Sequence, residues 1–147
     1  MESIAKLFSF RGRVSRLGYW RVQLLLTVIL LGCWSGGLML AISTGIGIFS
    51  AVAVFALIPA VVIQSAVLFQ RLHDRGKSAW WLMIYNVGPA TADVLLQLPW
   101  AATHLPALLV ALVGLVSLGL SLWGFVEIGL RRGTRGPNRY GPEPVIA

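Results

Sequence analysis

The chain has 147 residues, of which 57% are hydrophobic and only 12% charged, against roughly 25% charged in an average soluble domain. Its mean hydropathy is +0.81 and its pI is near 10.8, with 12 Lys and Arg set against 5 Asp and Glu for a net charge of +7. This balance excludes a disordered chain and argues against a nucleic-acid binder, which needs its cations on a polar, folded surface. Cys33 is the single cysteine and lies in an apolar run, so an intramolecular disulfide and a cysteine-ligated zinc site are both excluded.

Along the chain, residues 1–21 come first and carry Lys6, Arg11, Arg13, Arg16 and Arg21. Ile4, Leu7 and Phe8 fall on one helical face there, which predicts a short interfacial helix. Four stretches free of Lys and Arg follow, at 22–43, 46–69, 79–98 and 105–126. Each approaches the ~20 residues needed to cross a ~30 Å hydrocarbon layer as a helix. They are too long and too continuously apolar for barrel strands, which alternate over about 10 residues. The first is also longer than a cleavable signal core of about 7–15 residues and reads as a retained signal-anchor. The expected fold is therefore an all-α integral membrane protein, one domain over 1–147, with four transmembrane helices in a bundle.

Every Lys and Arg lies in three segments, 1–21, 70–78 and 127–147. The connections around Thr44 and from Pro99 to His104 hold none, so the positive-inside rule places both termini and the central loop in the cytoplasm. With Glu2, Asp74, Glu127 and Glu143 subtracted, that side carries +8. Tyr19 and Trp20, Trp80 and Trp81, and Trp100 mark the expected interfaces. Small residues at Gly32 and Gly36, at Ala53, Ala56 and Ala60, and at Gly114, Ser117 and Ser121 read as helix-packing faces, with dimerisation through Gly32 and Gly36 as the alternative. Pro59 and Pro89 predict kinks in the second and third spans.

The polar sequence falls into three strings, FRGRVSRLGYW from Phe10, QRLHDRGKSAWW from Gln70 and GTRGPNRYGPEP from Gly133. Their F-x-G-R-x-S-R-x-x-Y-W, R-L-H-D-x-G-K-S-x-W-W and G-x-x-G-x-N-R-Y-G-P-x-P patterns, in this order over nearly the whole chain, resemble the bacterial inner-membrane proteins grouped as domain of unknown function 805, the YhaH type. The resemblance implies a small multi-pass protein of the bacterial cytoplasmic membrane and brings no catalytic residues with it. In many relatives the apolar stretch between the central motif and the tail is about one span long. Here the stretch from residue 79 to 130 has room for two.

Read physically, Arg11, Arg13 and Arg16 stand where guanidinium groups either set topology or contact lipid phosphates. Arg71 is three and four residues from Asp74 and Arg75, neighbours on one helical turn, so Asp74 is expected to pair with Arg71 or with an Arg of the first string. His73 reads as a proton-linked switch or a metal ligand, and without a second His cluster a metal site is not expected. Gly76-Lys77-Ser78 lacks the remaining residues of a phosphate loop, and Ser78 reads as a helix cap. The Gly- and Pro-rich tail cannot be a continuous helix, and Asn138, Arg139 and Tyr140 are expected to fold back with Arg75 and Lys77 around one basic pocket.

Within the spans, Asn86, Asp93 and Gln97 share one face, and Gln64 offers a partner from the second span. Asp93 is the single acid there, and reads either as functional or as reaching interfacial water. No G-x-S-x-G elbow or H-E-x-x-H motif occurs. The expectation is a non-enzymatic inner-membrane protein without cofactor, whose basic cytoplasmic rim binds anionic lipid, a membrane-protein partner or another copy. The alternative is a small transporter or channel component that uses Asp93.

Overall fold

The computed structural model describes residues 8–144. Among these the chain is helical without strands, and three helices are long and apolar enough to cross a bilayer. The expected N-terminal interfacial helix lies outside the described residues apart from Phe8, which is exposed in a turn.

Helix α1 spans Arg16–Thr44 and starts six residues before the predicted apolar run. Ser15 sets that start, because its backbone is extended and its side chain accepts the Gly18 N–H at 3.1 Å. Gly45 ends the helix in the left-handed region and donates to the Ala41 carbonyl. Helix α2, Ile48–Asp74, continues past Pro59 and runs five residues into the segment expected to be a loop. It closes with Gly76 at φ +70°, where Gly76 N–H donates to His73 O and Lys77 N–H to Leu72 O, both at 2.9 Å. This pair of bonds is a Schellman closure, and it gives the glycine of Gly76-Lys77-Ser78 a role as helix terminator.

The third segment departs most from expectation. In place of one continuous helix over 79–98 kinked at Pro89, a π-turn at Met83–Val87 leads into α3, Gly88–Leu96. Pro89 has no N–H for the carbonyl four residues back, and its ring crowds that carbonyl. The chain widens by one residue, with Gly88 N–H donating to Met83 O. A side chain at Gly88 would lie 2.8 Å from that oxygen. Ser78 receives the Trp81 N–H on its backbone carbonyl. Short helix α4, Pro99–His104, follows, with the Trp100 and His104 rings stacked. Helix α5, Ala107–Phe125, then leads directly into a second π-turn, Val126–Leu130.

The helices form two hairpins, α1 with α2 and α3 with α5, and these meet chiefly where the second π-turn packs on α1 and α2. The buried core sits there too: Val14, Tyr19, Val67, Leu68, Leu72, Leu82, Tyr85 and Ile128. A buried side chain such as Leu72 contributes about 1.5–3 kcal/mol through burial. Away from this layer little is enclosed, and Tyr19 is the one buried residue of α1. Of the predicted small-residue faces, Ala60 and Ser117 are buried, whereas Ser121 is exposed and Gly114 has open space at its Cβ position; the side chain of Ala53 lies outside the described residues. Gly32 and Gly36 have open space at their Cβ positions, because no neighbouring helix covers that face of α1.

Candidate functional site: an arginine-bonded polar layer

The three polar strings converge on Asp74. Arg13 donates through Nε and Nη2 to Asp74 Oδ1 at 3.1 and 3.0 Å, while Arg71 Nη1 takes Oδ2. Arg13 also donates from Nη1 to the carbonyls of Gly136 and Gly141 at 2.7 and 3.2 Å, and from Nη2 to that of Thr134 at 2.6 Å. Its side chain is 1% exposed and that of Arg71 is 0% exposed. Buried guanidinium groups need this many acceptors, and the tail supplies them as turns of backbone carbonyl. Arg13 and Arg71 are thus ties inside the protein, not the rim cations that their sequence position suggested.

A second carboxylate, Glu127, organises the other side of the layer. Its side chain is 2% exposed and receives Arg75 at 3.0 Å and Arg131 at 2.7 Å, with Lys77 at 3.6 Å. Lys77 also bonds the Tyr85 hydroxyl at 3.1 Å and lies 3.9 Å from the Trp81 ring centroid. The sequence reading missed Glu127. It stands at the seam between a span and the tail, four residues before Arg131, and that spacing was the available signal.

The end of the second π-turn shows the same logic. Helix C-termini leave carbonyls without partners, and cations are favourable there. Here five consecutive carbonyls accept side-chain donors: Ile128 from Arg71 Nε, Gly129 from Trp20 Nε1, Leu130 from Arg16 Nη1, Arg131 from Arg71 Nη2 and Arg132 from Arg75 Nη1. All five donors come from α1, α2 and the cap of α2. The contact is close enough that a Cβ on Gly129 would lie 2.9 Å from the Trp20 ring.

The tail docks by its own turn. Asn138 and Gly141 exchange backbone bonds at 3.0 Å, and Gly136 and Gly141 take positive φ. Asn138 Nδ2 donates to His73 O at 3.0 Å and to Thr134 Oγ1 at 2.8 Å. Tyr140 stacks on His73 with ring centroids 3.9 Å apart, and Arg139 reaches Gly76 O. His73 Nδ1 lies 3.3 Å from Gly12 O, which sets it between the first string and the tail. Among the described residues no three of His, Cys, Asp and Glu gather as a metal site.

The cations at the surface of this layer overlap with that set. Arg11, Arg16, Arg131, Arg132, Arg135 and Arg139 are exposed, Arg16 and Arg131 while also bonded within the layer. Arg16, Arg132 and Arg135 line a cleft of about 580 Å³, bounded on one side by Leu17 and Trp20 and on the other by Thr134, Glu143 and Pro144. The remaining candidates do not assemble into a site: Asn86, Asp93 and Gln97 are exposed and Gln64 is half-buried on α2.

A family model described as "Protein of unknown function (DUF805)" matches residues 7–142. The chain is 32% identical over 140 residues to "Uncharacterized protein YiiR" of Escherichia coli K12, covering 93% of this chain and 86% of that protein. It is 25% identical over 150 residues to "Inner membrane protein YhaH" of the same strain, covering 99% and 95%. No solved structure matches.

Proposed function

The chain belongs to the DUF805 family of proteins of unknown function, and from that membership and the geometry above we propose a four-span, non-enzymatic protein of the bacterial inner membrane that holds an anionic lipid headgroup in the Arg16–Arg132–Arg135 cleft. Both termini and the central loop are cytoplasmic in this reading. The positive-inside rule supports that orientation. The bonding of Arg13, Asp74 and Thr134 in one layer supports an even number of crossings between the strings. The relative named an inner membrane protein supports the location.

The cleft carries the functional reading. It combines three exposed guanidinium groups with Leu17 and Trp20, an apolar wall at the start of the first span. A phospholipid offers the matching pair, phosphate oxygens for bidentate Arg donors and an acyl chain for the wall. Arg13 and Arg71 serve the site indirectly by holding the tail that carries Arg132 and Arg135.

The test is native mass spectrometry of lipid retained from mixed phosphatidylglycerol and phosphatidylcholine. Replacing Arg16, Arg132 and Arg135 with Lys keeps the charge and removes the planar fork. Selective loss of phosphatidylglycerol supports a built headgroup site. Retention equal to that of the unmodified chain reduces the three arginines to topology signals and overturns the proposal.

A further inference from the structure

The third membrane segment, residues 81–96, packs through Leu82, Tyr85 and Pro89, which are buried, while Asn86, Asp93 and Gln97 are exposed. These three are spaced by seven and four residues, so they follow one flank of the helix, with Ala90 between them. Their side chains make no hydrogen bond to another described residue. Amide and carboxylate groups against hydrocarbon are costly until they find partners. Asn86 lies about 16 Å along the helix axis from Gln97, so water at one boundary of the bilayer cannot serve the whole flank.

What covers this flank must bring polar groups of its own. Asn and Gln amides both donate and accept, and their N–H groups serve a carboxylate equally well. The flank is therefore complementary to itself. Across a two-fold contact with its axis along the membrane normal, residues of one depth face each other, so Asn86 meets Asn86. Each Gln97 amide, one turn from Asp93, reaches the other copy's carboxylate and separates it from its counterpart. The chain's own cations cannot answer Asp93, because all 12 Lys and Arg lie in the segments 1–21, 70–78 and 127–147. Nor does the other hairpin cover it, since the two hairpins meet chiefly in the polar layer. We infer that the Asn86–Asp93–Gln97 flank is the contact surface between two copies of this chain, related by a two-fold axis along the membrane normal. The inference rests on residues 81–96 crossing the bilayer and is independent of the headgroup cleft.

The test uses the full chain in native membranes, with Cys33→Ala as background. Ala90→Cys places a thiol on the flank without removing a polar group, and Leu95→Cys places one on the opposite, exposed side. Oxidation is expected to give a disulfide-linked dimer with Ala90→Cys and not with Leu95→Cys. In nanodiscs, changing Asn86, Asp93 and Gln97 together to Leu should weaken dimerisation roughly 20-fold, the sum of three interhelical polar contacts. Equal cross-linking at both positions, cross-linking only through Gly36→Cys on α1, attachment only to another protein, or an unmodified chain that stays monomeric would each overturn it. Labelling of Thr103→Cys from outside the cell reports the crossing separately, so failure of the topology and failure of the contact are told apart.

Discussion

Arg13 and Asp74, 61 residues apart, are joined by two hydrogen bonds onto a single carboxylate oxygen, and the other oxygen belongs to Arg71. Asp74 is therefore shared by two buried cations, and backbone carbonyls take the N–H groups that its single charge leaves over. Its own backbone carbonyl also receives the Thr134 N–H and hydroxyl at 2.8 and 3.0 Å. The tail is fastened to the same residue that fastens the first string.

Asp74→Asn keeps the shape and removes the charge. Breaking a buried pair leaves uncompensated cations and costs about 3–5 kcal/mol. The expected result is release of the tail. Limited proteolysis in detergent should cut between Arg131 and Arg139 in the variant and spare the unmodified chain. Equal protection would mean that the backbone bonds alone hold the tail.

Arg13→Lys tests the geometry separately from charge. A lysine has no planar fork with which to reach Asp74 and the carbonyls of Thr134, Gly136 and Gly141 together. A loss of about 1.5–3 kcal/mol in thermal stability is expected, from hydrogen bonds to a charged group. A variant that melts with the unmodified chain would show that charge suffices.

Gly124 is buried where α5 approaches the first π-turn, and a Cβ there would lie 2.6 Å from Tyr85 Cβ. Gly124→Ala is expected to separate this hairpin and to cost about 1–3 kcal/mol as overpacking. Gly119→Ala, whose Cβ meets open space, is the control and should be near neutral. Equal melting temperatures for the two variants would refute the close approach.

Topology is tested with single cysteines in a Cys33→Ala chain. A membrane-impermeant thiol reagent added to intact cells should reach Thr103→Cys and fail to reach Ser78→Cys. The reverse pattern, or labelling of both, would overturn the four-span orientation.

Much of this arrangement was legible in the sequence. The runs of apolar residues announced the long helices, and the three strings announced a polar layer, with Asp74 between possible arginine partners. What sequence could not separate was arginine used as a tie from arginine used as a surface charge. Arg13 and Arg16 are three residues apart and chemically identical, yet one is enclosed by tail carbonyls and the other opens onto a cleft. That difference is decided by residues more than 110 positions away. The π-turns were hidden for a related reason, since Pro89 predicts a disturbance without saying whether the chain bends or widens. Sequence marked Trp20 as an interfacial anchor and gave no sign that its indole N–H also closes a carbonyl of the last turn.

The run of capped carbonyls from Ile128 to Arg132 also orders the chain in time. Its donors, Arg16, Trp20, Arg71 and Arg75, are synthesised first, and their acceptors emerge from the ribosome more than fifty residues later. Until then Arg71 has a partner in Asp74 but none for its remaining N–H groups. The polar layer closes last, so the segment from 128 to 132 acts as its keystone. A chain stopped before residue 128 would leave Arg16, Trp20, Arg71 and Arg75 without these five acceptors.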